Sequence, residues 1–177
     1  FFHSVAPRTA GFNTIDLATI SDESQILTIC LMLIGGSPSS TAGGIKTTTL
    51  AVMVLSILTE LNNKKHIECF NRRIDEQTVR HAYSVLTMYL FFFLSGAILI
   101  SAIDGVSVSK SIFETSSAIG TVGSTLGITS QLSAVSHAIL ILLMYVGRVG
   151  GLTILVAFAK PYPNTVSQMP LENITIG

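Results

Sequence analysis

The chain has 177 residues, of which 49% are apolar and only 11% charged, with a mean hydropathy of +0.63. A soluble domain carries about 25% charged residues, so this composition excludes a water-covered globule and points to lipid surroundings. Ten Lys+Arg balance ten Asp+Glu, which leaves no net positive charge for phosphates and argues against nucleic acid as a partner. Cys30 in an apolar run and Cys69 in a polar stretch build no disulfide framework. With Phe1 at the start and no leader-like segment, the sequence reads as part of a longer membrane protein.

In chain order the first marked segment is Thr9-Ala10-Gly11-Phe12-Asn13. Asp16, Asp22 and Glu23 follow it, placed either to draw cations to an outer mouth or to cap a helix from Ser24 onward. Residues 25–34 are apolar but too few to cross a hydrocarbon core about 30 Å thick. A second apolar piece occupies residues 50–58. The insert from Gly35 to Thr48 holds four glycines and Pro38, which no continuous helix accommodates. We read the three parts as one discontinuous membrane helix carrying a loop at membrane depth, surrounded by protein or a water-filled cavity. Two half-buried helices joined outside the membrane are the alternative.

Residues 60–81 form the strongly polar block, where Lys64, Lys65, Arg72, Arg73 and Arg80 supply half of the ten basic residues. The positive-inside rule makes this block cytoplasmic. Residues 82–103 then hold no charge over 22 positions, about 33 Å of helix and enough to span. That span runs outward, its Phe91–Phe93 run facing lipid or neighbouring helices. Residues 134–159 return inward, interrupted by Gly147, Arg148, Gly150 and Gly151. Between the spans, residues 108–119 fit a helix of about three turns, which with its return strand makes a hairpin dipping in from outside. The expected partition is 1–60 as the end of one pore repeat, 61–81 as a cytoplasmic linker, 82–160 as a full repeat and 161–177 as a cytoplasmic tail.

The order T-x-G, apolar half-helix, Gly-Gly, apolar half-helix occurs twice. Thr121-Val122-Gly123 stands 112 positions after Thr9-Ala10-Gly11, and Gly150-Gly151 answers Gly43-Gly44. Two ordered matches indicate an internal repeat. A dehydrated cation needs a cage of oxygens, and main-chain carbonyls provide one that still lets the ion leave. Glycine gives the dihedrals that aim successive carbonyls together, and Thr adds a hydroxyl at the inner end. The negative end of the short helix's dipole would favour a cation there. Thr121-Val122-Gly123-Ser124-Thr125 resembles the TVGYG filter of potassium channels with the second glycine replaced, and residues 9–13 are a looser version. The fold class expected is all-α and integral to the membrane. Its unit is membrane helix, re-entrant pore helix, filter strand and membrane helix, around a potassium-channel-like pore.

Arg148 sits near the middle of an apolar segment, where insertion costs about 2.5–3.5 kcal/mol. It should therefore face protein, either holding carbonyls of the 35–44 loop or locking helix packing. Lys46 either lines the pathway and repels cations or snorkels to the membrane edge. Gly43-Gly44-Ile45-Lys46-Thr47 is no phosphate loop, because the Gly-Lys pair and a preceding strand are both missing. His3, His66, His81 and His137 show no metal-ligand spacing. Asp104 and Glu114 form no visible acid–base pair, and no covalent chemistry is called for, so no enzyme is expected.

Arg8 to Thr14, Gly36 to Thr47, Ala118 to Gly123 and Gly147 to Leu152 together resemble the Trk/Ktr/HKT superfamily of potassium transporters. The ending from Leu171 to Gly177 looks most like its bacterial KtrB-type membrane subunits. The resemblance implies four helix–pore helix–helix repeats around one pore in a single subunit, with this chain supplying the end of the third and all of the fourth. It implies potassium uptake across a bacterial plasma membrane. Thr9, Ala10, Thr121 and Val122 would bind the ion, and Gly11, Phe12, Asn13, Gly123, Ser124 and Thr125 would complete the two filter segments. The gate would be Gly35, Gly36, Ser37, Pro38, Ser39, Ser40, Thr41, Ala42, Gly43 and Gly44, with Lys46 and Arg148 beside it. The implied partners are the N-terminal remainder of the subunit, a second membrane subunit in a homodimer, and a cytosolic ring of nucleotide-binding regulatory domains. Nucleotide exchange on the ring would move the loop. Potassium is cargo, and sodium stimulation or symport is common in such systems. Each filter segment keeps one glycine where a channel has two, so channel-like selectivity does not follow. A secondary transporter of another small solute with a discontinuous-helix site, and a structural subunit without a pore, are the competing functions.

Overall fold

The computed structural model describes residues 2–14, 16–38, 40, 42–64, 66–69, 72–151 and 153. Ser39, Thr41 and Leu152, the end of the expected 134–159 span, the 161–177 tail and its terminal motif lie outside the described residues. A short helix α1 (Phe2–Val5) leads into the first T-x-G segment, and a 3-10 turn (Leu17–Thr19) follows it. Next come α2 (Asp22–Leu33), the glycine-rich insert and α3 (Thr47–Leu61). Two short strands, β1 (Glu68–Cys69) and β2 (Arg72–Arg73), pair antiparallel, Glu68 opposite Arg73 and Cys69 opposite Arg72. The chain continues with α4 (Glu76–Asp104), α5 (Val108–Ile119), a second 3-10 turn (Thr129–Gln131) and α6 (Ala134–Val149).

Among the described residues, α4 is the one helix long and apolar enough to cross a membrane. It begins at Glu76, ahead of the apolar run from residue 82, because Glu76, Gln77 and Arg80 are good helix formers that add polar first turns. Gly105, at φ +64°, ends it with an N–H to the Ser101 carbonyl at 3.0 Å. One face buries Ala82, Val85, Tyr89, Phe93, Gly96, Ala97 and Ile100, spaced mostly by three and four. The other face exposes Leu90, Phe91, Leu94, Ile98 and Leu99. A helix apolar on both faces needs protein on one side and an apolar medium on the other.

The two repeats register on a single offset. The 3-10 turns start at Leu17 and Thr129, the N-cap residues are Ser21 and Ser133, and α2 and α6 start at Asp22 and Ala134. Each pair is 112 apart, the same as Thr9 and Thr121. Gly35 and Gly147 keep that offset too, and a Cβ on either would overlap a main-chain carbonyl, that of Gly43 or Ile119. The Gly-Gly pairs fall out of this register because the first copy loops out between α2 and α3. The second copy breaks its helix at Gly150, φ +86°, with Gly151 and Thr153 helical again.

The core joins Tyr89, Phe93 and Ile100 of α4 to Ile119 of α5, Leu140 and Leu143 of α6, and Ile45 of the insert. Gly96 lets α6 come close, since a Cβ there would sit 2.8 Å from Leu143 Cδ1. A second cluster of Leu17, Met32, Phe113, Val122 and Leu126 binds the first copy to the second. Helix α5 packs against α2, α4 and α6 and is buried from Phe113 to Ile119.

Candidate functional site

Helix α5 is short, buried and rich in hydroxyls. Thr115 and Ser116 donate to carbonyls one turn back, Thr115 to Ser111 at 2.9 Å and Ser116 to Phe113 at 2.7 Å, so these buried groups are satisfied. The helix ends at Ile119, and Thr121 follows with φ +52° and Gly123 with φ +90°. Ser117 holds this turn twice, its carbonyl accepting the Val122 N–H at 2.9 Å and its hydroxyl the Gly123 N–H at 3.2 Å. Beyond, burial alternates as in an extended strand. Val122, Ser124, Leu126 and Ile128 are buried, while Gly123, Thr125 and Gly127 are open.

The first copy repeats the backbone pattern. Thr9 and Gly11 both have φ +70°, and the Ala10 and Gly11 N–H groups both donate to the Ala6 carbonyl, at 3.1 and 3.0 Å. A positive φ costs a threonine of order 1–3 kcal/mol. Three non-glycine residues adopt it among those described, and Thr9 and Thr121 are two of them. The two segments touch: a Cβ on Gly11 would overlap the Val122 carbonyl oxygen. Phe12 and Asn13 extend from this contact with exposed side chains.

The insert is a closed loop. Gly35 N–H donates to Ile45 O at 2.8 Å, Ile45 N–H to Leu33 O at 3.0 Å and Thr47 N–H to Gly36 O at 3.2 Å. A bridge between Ile34 and Ile45 completes its neck. Ser40 N–H donates to Ser37 O at 3.1 Å, and a Cβ on Gly36 would fall 2.6 Å from Ser40 Oγ and 2.8 Å from Ala42 Cβ. Beside the neck, Gly43 N–H donates to Thr121 Oγ1 at 3.2 Å. The loop therefore reaches the threonine that opens the second T-x-G segment.

Lys46 folds back onto the loop that precedes it. Its ammonium turns onto the loop and donates to the carbonyls of Ser40, at 3.2 Å, and Ala42. These are carbonyl contacts of the kind expected of Arg148. Arg148 is exposed near the end of α6 and lines a cavity of about 850 Å³ together with Ser40, Ala42, Gly44 and Lys46 of the loop. His81 and Tyr89 of α4 line it from the other side. Asp16 caps the first 3-10 turn through the Ala18 N–H at 3.0 Å, and Asp22 and Glu23 lie in the first turn of α2. Asp104 accepts the Ser133 N–H at 3.2 and 3.3 Å, tying the end of α4 to the start of α6.

Glu114 was absent from the sequence-derived site. It is buried on α5, and the hydroxyls of Thr125 and Thr129 donate to its carboxylate, the second at 3.0 Å. The available signal was a lone acid inside a run of small hydroxyl and apolar residues, too charged for a buried helix without partners.

The family described as TrkH, cation transport protein, matches residues 1–168. The chain belongs to the TrkH family. It is 38% identical to Ktr system potassium uptake protein B of Vibrio alginolyticus, over 100% of this chain and 39% of that protein. The potassium/sodium uptake protein NtpJ of Enterococcus hirae is 41% identical over 87% of this chain and 35% of its own length. The chain thus spans under two fifths of these relatives. The crystal structure of the potassium transporter TrkH from Vibrio parahaemolyticus shares the fold, with a TM-score of 0.68 at 20% identity over 87% of this chain and 35% of that one.

Proposed function

We propose that this TrkH-family chain forms part of a potassium-uptake pore in a bacterial plasma membrane, with residues 9–13 and 121–125 as two of its filter segments. The observation that carries the reading is the contact of two T-x-G segments, each with threonine and glycine in the left-handed region, Gly11 against the Val122 carbonyl. Strained backbone that follows a helix end in both copies suits a device that must aim carbonyls at a bare cation. Thr9, Ala10, Thr121 and Val122 supply ion ligands, and the remainder of the subunit supplies the other repeats. The protein moves its ion without covalent chemistry, and sodium passes as co-ion only to the degree the filter admits it.

The loop from Gly35 to Gly44 is the gate in this reading. Its support is the placement of Gly43 against Thr121 and the clasp of Lys46 on the loop's own carbonyls. The 61–81 block, with the hairpin at its centre, faces the cytoplasm and docks a ring of nucleotide-binding regulatory domains. Two membrane subunits pair above that ring.

The test uses the full-length gene product in a strain that lacks potassium uptake, grown on low potassium with and without Gly123→Ser. Restored growth, with sodium admitted by the variant, supports the pore. No potassium flux, or flux that saturates with an organic solute instead, overturns it. Shortening the loop between Gly36 and Ala42 tests the gate: flux should lose its need for the regulatory ring, and an unchanged need removes the gate from the reading.

A further inference from the structure

We propose that Glu114 is a positioning residue that sets the discrimination of the second filter segment among monovalent cations, an inference that rests on residues 121–125 being a filter. Glu114 is the one charged side chain buried among the described residues, 4% exposed. No salt bridge reaches it there, and Lys110 one turn earlier is exposed. Its charge is held by hydroxyls alone. Thr125 donates to one carboxylate oxygen and Thr129 to the other at 3.0 Å. The Gly127 N–H donates to Thr125 Oγ1 at 2.9 Å, and the Thr125 and Thr129 oxygens lie 2.8 Å apart. The cluster therefore fixes the strand immediately after Gly123, on the face that stays open.

The fold does not demand this cluster. At the same register in the first copy stand Phe2, Asn13 and Leu17 in place of Glu114, Thr125 and Thr129. There the helix is linked to its return strand by His3 Nε2 and Thr14 Oγ1 at 2.9 Å. Only the second copy places a carboxylate behind its open strand. A buried negative charge in low dielectric acts strongly on a nearby cation, and its hydroxyl partners hold the segment whose carbonyl spacing decides which ion fits.

The experiment measures potassium flux and its competition by sodium for the full-length protein, beside membrane abundance and melting in detergent. Glu114→Gln keeps the shape and removes the charge and part of the accepting capacity. Discrimination of potassium over sodium should fall about ten- to hundredfold, the worth of hydrogen bonds to a charged group, at unchanged abundance. Thr125→Val should reproduce that loss, and the double variant should be no worse than either single one. If Glu114→Gln does not reach the membrane, Thr125→Val supplies the same readout. Discrimination within twofold of the parent in whichever variant folds overturns the inference. Failure of the filter reading itself looks different, since Gly11→Ala and Gly123→Ser would then leave discrimination unchanged as well.

Discussion

Gly43 donates its N–H to the Thr121 hydroxyl at 3.2 Å, joining the returning limb of the insert to the head of a T-x-G segment 78 residues later. A Cβ on Gly43 would strike that hydroxyl and come 2.7 Å from Thr121 Cγ2. Both atoms belong to the half-buried Thr121, whose turn is held by main-chain hydrogen bonds to Ser117 and Ala118, so the loop must move instead. Overpacking of this kind costs about 1–3 kcal/mol, enough to shift a closed–open balance roughly tenfold or more. Gly43→Ala should raise potassium flux without the regulatory ring by about that factor, read as rubidium uptake into vesicles.

Lys46 holds the same loop from within. Hydrogen bonds to a charged donor are worth about 1.5–3 kcal/mol each when buried, and half-burial lowers this. Lys46→Met should free the Ser40 and Ala42 carbonyls and raise unregulated flux about tenfold. Combined with Gly43→Ala the gain should be less than the product, because both changes release one loop. A full multiplicative gain would mean that the two residues act on separate elements.

Gly11 and Gly127 share a left-handed φ but not their surroundings. Gly11, at +70°, has the Val122 carbonyl where a Cβ would go; Gly127, at +85°, has open space. Gly127→Ala should cost about 1 kcal/mol of stability from the backbone alone. Gly11→Ala adds a carbonyl overlap at the contact of the two segments and should abolish selective uptake while the protein still reaches the membrane. Equal melting losses and equal flux for the two variants would separate the contact from transport.

Much of this arrangement is legible in the residues. The three-turn helix α5 falls at 108–119 because length and apolar spacing are local properties, and the T-x-G pair announces the repeat. The common offset extends further than the motifs reveal, through Ser21 and Ser133, which share the N-cap position although only the Ser133 hydroxyl accepts a backbone N–H there. The hairpin of Glu68–Cys69 and Arg72–Arg73 leaves no trace, since two-residue strands are too short to alternate. Lys46 and Glu114 were obscure for one reason. The partners of Lys46 are brought to it by the neck between Ile34 and Ile45, and Glu114 meets Thr125 and Thr129 across a turn that no periodicity encodes.

Gly147 marks where α6 lies against the end of α5, since a Cβ there would overlap the Ile119 carbonyl. Helix backbone cannot yield as a side-chain tip can. Gly147→Ala should cost about 1–3 kcal/mol and lower the melting temperature in detergent. The loss should be larger than that of Gly105→Ala, where the φ of +64° is unfavourable but nothing lies within 4 Å.

The ion pairs at the hairpin make the opposite case. Lys64 and Glu68 approach to 3.5 Å with side chains 58% and 57% exposed, and Arg73 and Glu76 to 3.1 Å with 53% and 74%. Pairs this open contribute about 0–1 kcal/mol. Lys64→Ala and Arg73→Ala should therefore leave the melting temperature nearly unchanged. Their effect should appear in docking, because the same basic groups face outward from the 61–81 block. Binding of the regulatory ring should weaken and grow more sensitive to salt, measured by titration of purified ring onto the membrane subunit in nanodiscs. Unaltered affinity in both variants would move the docking surface away from this block.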